Sequence, residues 1–454
     1  MNPVNPKRSE AISPARRAAF DILHQVAEQQ AYASVRVAAL SESDLSREDR
    51  ALAQEIILGV LRWQRALDHF LERYSERSID RLDLRVLIAL RMGLYQLRYL
   101  DRVPQSAAVN ESVNLVKRAR VTSAAGLVNA VLRKAARNSA DLVSQSISDP
   151  LEQASIELSH PKWMLERWRA TLGENDTKQL ALANNTPPTT AFRVNPLRAT
   201  VQQVLADLER EGVITRESRI AQGGFVVESG HGSPVARAAQ QGLIYIQDEA
   251  SQLVSRLLEP KSGERVLDLC AAPGSKSSHI AALAGDKAWV LACDRHHHRL
   301  TTLLATCSRL GVRSIETIVL DAASALPLVF VGGEFDRVLV DAPCSGTGTL
   351  RGNPEIKWRL LAGDLPRLAE LQLRLLEQGA SAVATGGRLV YSTCSIEAEE
   401  NEEVINRFLE RVTAFKVIEP KAPPLLITGD RYVRTFPHRD GTDGFFAAVL
   451  ERVC

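Results

Sequence analysis

The 454-residue sequence lacks any run of ~18–20 uninterrupted apolar residues, so no transmembrane helix is expected. Its opening, "MNPVNPKRSEAISPARRAAF", has no compact apolar run before a small-residue cleavage site, so a secretory signal is not expected either. Cysteine is scarce. The six are Cys270, Cys293, Cys307, Cys344, Cys394 and Cys454, and none falls in a CxxC spacing. That pattern argues against a disulfide framework or a zinc site and fits a reducing cytoplasm. The GxGxxG and GxxxxGK[ST] loops are missing as well, which argues against dinucleotide and polyphosphate ligands.

The rest of the composition is ordinary for a soluble globular chain, with 45% hydrophobic and 24% charged residues. The length predicts two to four domains. A net charge of +2 conceals an asymmetry: residues 1–140 hold 22 Lys/Arg against 15 Asp/Glu, and the remainder 34 against 39. Within 101–140 the ratio is 7 to 2, through Arg102, Lys117, Arg118, Arg120, Arg133, Lys134 and Arg137. Such a cluster can attract a polyanion, although a solvated helix face would look the same.

Residues 12–138 read as helical throughout. "PARRAAFDILHQVAEQQ" repeats apolar residues at helical spacing through Ala18, Ile22 and Val26. "SREDRALAQEIILGVLRWQRALDHFLERY" starts with Ser46 three residues before Asp49, resembling a capping box. "LDLRVLIALRMGLYQLRYL" is apolar enough to be a central helix, and two short amphipathic helices follow. A polar, Ser-rich stretch then reads as a linker. Trp163, Leu165 and Trp168 mark a further helix, and "TTAFRVNPLRAT", "VQQVLADLEREGV" and "GGFVVES" give strand, helix and strand, a small α+β module. From Gly242 short apolar strands alternate with helices, which predicts a doubly wound parallel sheet.

Acidic residues recur at the predicted strand ends. "ERVLDLCAAPGSKSSHIAAL" places a small-residue turn between a strand and a helix, where a ligand can lie against backbone N–H groups. A merely structural tight turn would share that pattern. The next two strands end in Asp294 and Asp321, suited to ribose hydroxyls and to an exocyclic amine. A single acid at a strand end is often only a helix cap, but Asp268, Asp294 and Asp321, in register around one turn, imply an adenosine-bearing cofactor without a polyphosphate. S-adenosylmethionine fits that description. The run His296–His298 is not read as a metal site, because side chains at consecutive positions splay around a helix axis.

Two thiols follow the fourth and fifth strands. "LVDAPCSGTG" carries Asp341 and Cys344, and "LVYSTCSIEAEENEEVI" carries Cys394 between a strand and a Glu-rich stretch read as a helix start. Ligands of an open parallel sheet bind outside the carboxyl ends of its strands, so both cysteines fall on the cofactor side. One chemistry uses this set. Carbon 5 of cytosine is a poor nucleophile until a thiolate adds to carbon 6, and a carboxyl beside the ring favours that addition. Transfer to an exocyclic amine would need no cysteine and would suit an [DN]PP[YF] loop, which is absent. The residues alone do not choose which thiol attacks.

"IQDEASQLV", "DLCAAPGSKSSHIA", "DAPCSGTGTLRGNPEIKW", "YSTCSIEAEENEEVI" and "DGTDGFFAAVLER" occur in this order. With them the chain resembles the Sun/Fmu (RsmB-type) bacterial 16S ribosomal RNA cytosine-C5 methyltransferases, closely over 242–454. The resemblance implies an all-α NusB-like RNA-binding bundle over 1–140, a linker over 141–160, a small α+β N1-type module over 161–235, and a Rossmann-like α/β methyltransferase domain over 236–454. It implies transfer of a methyl group from S-adenosylmethionine to carbon 5 of one cytosine in 16S ribosomal RNA, through a cysteine adduct at carbon 6.

Carried over by position, Cys270, Ala271, Ala272, Pro273, Gly274, Ser275 and Lys276 form the cofactor loop, with Asp294 and Asp321 on the ribose and adenine. Asp341 contacts the target base and borders the cofactor, Cys394 is the nucleophile, and Cys344 helps release the product. Ser275 stands where the family usually has a second glycine. Lys117, Arg118, Arg120, Arg133 and Lys134 are the candidate RNA contacts. A cytoplasmic monomer with no metal and no membrane contact is expected. The rival readings are the same chemistry on transfer RNA, and a non-catalytic RNA-binding or assembly factor that keeps the fold.

Overall fold

The computed structural model of the chain describes residues 12–29, 32–138, 147–324, 326 and 333–453. Residues 1–11 of the expected bundle, 141–146 of the expected linker and Cys454 lie outside the described residues. The chain divides into two compact units, one of residues 1–186 with 350–360 and the other of 187–349 with 361–454.

The first unit is helical: α1 (Pro14–Gln29), α2 (Ala33–Ala39), α3 (Arg47–Arg62), α4 (Gln64–Ser75), α5 (Leu84–Tyr99), α6 (Gln105–Arg118), α7 (Ala125–Arg137), α8 (Pro150–Glu157) and α9 (Lys162–Asn184). The Ser46 side chain accepts from the Asp49 amide at 3.0 Å and starts α3. The long amphipathic stretch beyond it breaks at Trp63, whose φ of −104° and ψ of 16° separate α3 from α4. The central helix is α5, with ten buried residues between Val86 and Gln96 and contacts to α1, α3, α4, α6 and α7. Gly59 on α3 must be glycine, because a Cβ there would sit 1.9 Å from Cζ of Tyr95.

One element differs from the sequence reading. Helix α8 occupies part of the expected linker. Asp149 caps it by accepting from the Leu151 amide at 2.9 Å, Pro150 takes the first turn, and Ile156 is buried. In helix α9 the buried Trp168 packs edge-on against His160.

Residues 350–360 complete this unit. Lys357 is 1% exposed, and its Nζ donates to the carbonyls of Arg62 (2.7 Å) and Ser159 (2.9 Å) and to Asn185 Oδ1 (3.1 Å). Trp358 Nε1 donates to Leu61 O at 2.6 Å, and Arg62 Nη2 to Arg351 O at 3.0 Å. Burial pushes the Lys357 ammonium well below its ordinary range, with Arg62 adding to the shift. Three oxygens converge on it because a buried cation without them would be far more costly.

The second unit holds two sheets. The smaller comprises β1 (Ala191–Val194), β2 (Ile214–Glu217), β3 (Gly224–Ser229) and β4 (Ile244–Ile246), antiparallel in the order β2-β3-β1-β4. Its helices span Val201–Arg210 and Gly232–Gln240, and the first begins with a full capping box between Thr200 and Gln203.

The larger sheet comprises β5 (Arg265–Asp268), β6 (Trp289–Asp294), β7 (Ile315–Val319), β8 (Phe335–Asp341), β9 (Val383–Thr393), β10 (Phe415–Val417), β11 (Val433–Thr435) and β12 (Phe445–Arg452). Its order is β10-β12-β9-β8-β5-β6-β7, with β11 beside β12. The pairs from β9 through β7 are parallel, while β12 is antiparallel to β9. Parallel strands are covered on both faces, which explains unbroken runs such as Val338–Val340 and Leu389–Tyr391, all fully buried. The chain winds from β5 toward β7 on one side, then returns to β8 and β9 on the other. In open α/β sheets such a reversal marks where ligands bind, here at the carboxyl ends of β5 and β8.

Candidate active site

The turn after β5 is shaped by its smallest residues. Gly274 has φ of 100°, and a Cβ there would lie 2.7 Å from Leu303 Cγ. The Ala271 amide donates to Cys293 O at 2.8 Å, and Gly274 N to Ala271 O at 2.8 Å, which fixes the turn before the helix Ser275–Leu283. Asp268 ends β5 at 1% exposure and accepts from Ser277 Oγ at 2.7 Å. Burial, with the nearby charge of Asp341 adding to it, pushes its carboxyl up to about 7 against the opposing Ser277 bond. Among the described residues its Oδ1 has no partner. Burial also pushes the Cys270 thiol well above its usual range.

Asp294 ends β6 at 4% exposure. It accepts from the His296 amide at 2.8 Å and pairs with Arg299 Nη1 at 3.1 Å. Arg299 Nη2 also donates to Ala272 O at 2.7 Å, linking the turn to this carboxylate. Asp321 follows β7, is exposed, and accepts from the Ala323 amide at 3.1 Å. The expected cofactor residues of the turn, Asp294 and Asp321 therefore line up at the ends of three adjacent strands. A turn without bulky side chains, two strand-end carboxylates and an orphaned buried carboxyl oxygen fit an adenosine-bearing cofactor with a charged tail.

Asp341 ends β8. Its Oδ2 lies 2.7 Å from Lys276 Nζ, and its Oδ1 accepts from Ser392 Oγ at 2.8 Å. Burial alone would lower the Lys276 ammonium, but the Asp341 carboxylate outweighs it and holds the lysine above its ordinary value, with Cys394 contributing in the same sense.

The two thiols meet. Cys344 Sγ and Cys394 Sγ are 3.2 Å apart. The hydrogen bond to Cys394, reinforced by burial, pushes Cys344 well above the usual thiol range. The turns that carry them are locked together: Gly348 N donates to Cys394 O at 3.0 Å, Gly444 N to Gly348 O at 2.8 Å, and Ile396 N to Thr347 Oγ1 at 3.1 Å. A Cβ on Gly348 would lie 1.9 Å from Gly444 O, so the glycines of "CSGTG" and "DGTDG" serve one close approach.

Several residues of the site carried no sequence signal of their own. Ser392 bonds Asp341 and Arg299 bonds Asp294 and Ala272 O, and no motif in the sequence marks either. Glu400 lies within the Glu-rich run that reads as the start of a helix; it is wholly buried and receives the amide of Ser345 at 2.8 Å. Part of that stretch, Ala398–Glu400, is a 3₁₀ turn, and the α-helix begins only at Glu402. In the helical unit, Lys117, Arg118, Arg120, Arg133 and Lys134 are exposed. Arg118 pairs with Asp21 at 2.7 and 2.9 Å, Lys134 with Glu76 at 2.8 Å, and Arg133 bonds Asn129 at 2.9 Å.

The fold and these strand-end residues define an S-adenosylmethionine-dependent methyltransferase. The model of the family described as 16S rRNA methyltransferase RsmB/F matches residues 255–451. The NusB family matches 13–137, and the ferredoxin-like domain of RsmF/B-like methyltransferases matches 160–233. A probable ribosomal RNA small subunit methyltransferase B of Bacillus subtilis is 34% identical over 96% of this chain and 98% of its own length. One of Synechocystis is 37% identical over 96% and 99%. The crystal structure of PH0851 superposes with a TM-score of 0.85 at 29% identity, covering 97% of this chain and 99% of that one. The chain belongs to the RsmB/F family: a NusB-like helical domain, a ferredoxin-like module and an α/β methyltransferase domain.

Proposed function

We propose that the chain methylates carbon 5 of one cytosine in 16S ribosomal RNA, with Cys394 as nucleophile. The carrying observation is the pair of thiols 3.2 Å apart at the ends of β8 and β9, beside the strand-end carboxylate of Asp341. Cys394 is assigned the attack on carbon 6 by its position in the family resemblance, in the Thr-Cys pair at the end of β9. Its attack forms the carbon–sulfur bond and moves the ring electrons toward carbon 5. Bound S-adenosylmethionine supplies an electrophilic methyl group. Carbon 5 would take that methyl group as the methyl–sulfonium bond breaks and S-adenosylhomocysteine is left; the carbon 5 proton then passes to water, the ring double bond returns and Cys394 leaves as a thiolate, a step in which Cys344 assists.

Asp341 meets the target base, and Lys276 keeps its carboxylate oriented at 2.7 Å. The turn from Cys270 to Lys276, with Asp294 and Asp321, holds the cofactor. Carbon 6 is reached only from the ring face, so the cytosine is unpaired or flipped out of its stack. The names of the relatives support ribosomal RNA of the small subunit as substrate.

Bisulfite mapping of small-subunit RNA from a deletion strain tests this. One protected cytosine should vanish and return on complementation. Unchanged protection, or a methyl group on the exocyclic amine, would overturn the reading.

A further inference from the structure

We propose that Glu400 is a positioning residue that holds the two thiols in register. The role in turnover rests on the two-thiol reading above. Of the acids in "IEAEENEEVI", Glu400 is the one with no exposure at all. Its two oxygens collect four donors from three segments. Oε1 accepts from the Ser345 amide (2.8 Å) and from Gln372 Nε2 (2.8 Å), and Oε2 accepts from the hydroxyls of Ser345 and Ser395. Ser345 follows Cys344 and Ser395 follows Cys394, so one carboxylate ties together the residues next to both sulfurs.

The opposite flanks are tied as well. Gln372 Nε2 also donates to Pro343 O at 3.0 Å, ahead of Cys344. Asn401, next to Glu400, accepts from Thr393 Oγ1 at 2.5 Å and donates to Ser395 O at 2.9 Å, bracketing Cys394. Neither turn can shift without breaking bonds to Glu400 or its neighbour. Glue for the fold alone would not need to reach the residue after each cysteine. Reactions of this kind lose rate steeply when reacting groups are displaced by about 1 Å. Glu400 does not touch the reacting atoms and acts through the spacing of the sulfurs.

Glu400→Gln keeps the shape but turns an amide donor toward groups that are themselves donors. The first readout is independent of turnover: the rate at which diamide, an azo oxidant reduced to its hydrazine, joins Cys344 to Cys394, followed by peptide mass mapping. In the variant this should fall at least tenfold, because disulfide formation depends on access of one sulfur to the other. Methyl transfer to 16S RNA should lose at least 100-fold in kcat, with KM for RNA and cofactor affinity within threefold.

The double variant Ser345→Ala with Ser395→Ala removes two donors while leaving the carboxylate held by Ser345 N and Gln372. It should show the same split to a smaller extent, and it decides the matter if Glu400→Gln does not fold. An unchanged joining rate in a folded variant overturns the positioning role, as does a fall in cofactor affinity that matches the fall in kcat. A wild-type enzyme that forms no covalent RNA adduct would instead remove the two-thiol reading, and the joining rate would still judge Glu400.

Discussion

Cys344 Sγ stands 3.2 Å from Cys394 Sγ, although 50 residues of sequence separate them. Only one of the two can add to carbon 6 in a given geometry. Cys394→Ser should abolish methyl transfer and form no covalent RNA complex, because a hydroxyl ionises far less readily than a thiol. Cys344→Ala should attack and then stall, leaving a methylated protein–RNA complex that survives denaturing electrophoresis. Labelled RNA on such gels checks both. Trapping in the Cys394 variant alone would exchange the two roles.

Asp294 should serve the cofactor. Its carboxylate ends β6, and Arg299 joins it to the cofactor turn through Ala272 O. Asp294→Ala removes a charged acceptor worth ~1.5–3 kcal/mol, so cofactor affinity should fall by roughly 10- to 150-fold. Isothermal titration with S-adenosylhomocysteine measures this. RNA affinity should be unchanged, and an unchanged titration with the cofactor product would remove the assignment.

The basic face of the helical unit should add to RNA affinity in a salt-dependent way. Arg118 must exchange its exposed pair with Asp21 for a phosphate, a small cost, since exposed pairs contribute at most about 1 kcal/mol. Replacing Lys117, Arg118 and Arg120 with Ala should weaken RNA binding and flatten the salt slope by ~0.7–0.9 per lost phosphate contact. Filter binding at several salt concentrations tests it. An identical slope would leave the cluster as a solvated face.

Asp268 should make the cofactor-free fold less stable as pH rises. Its carboxyl is pushed up to about 7 in the folded chain, against ~3.9 when unfolded. Between those values the folded state holds a proton that the unfolded state has released. Stability therefore falls with rising pH across that window, by at most ~1.4 kcal/mol per pH unit from this group. Asp268→Asn should remove that component, so the variant gains on wild type from pH 5 to pH 7. Urea midpoints at each pH, without cofactor, would show it, and parallel curves would refute it.

The sequence by itself determined the helical bundle, because apolar residues at a spacing of three to four can face one core only as helices. It determined the strand ends too. Unbroken apolar runs closing in Asp268, Asp294 and Asp341 leave the acids at the carboxyl ends of the strands, where ligands of an open sheet bind, and Cys344 and Cys394 follow on the same edge. Tertiary structure alone decided which polar residues went inside. Lys357 reads as a charged residue near a tryptophan, and only the carbonyls of Arg62 and Ser159, each about 200 residues or more away, make its burial tolerable. Glu400 reads like its acidic neighbours, and its burial follows from Ser345, Gln372 and Ser395 converging on it. A local pattern records the period of a helix or strand. The partner that makes a buried charge affordable is set by the path of the chain.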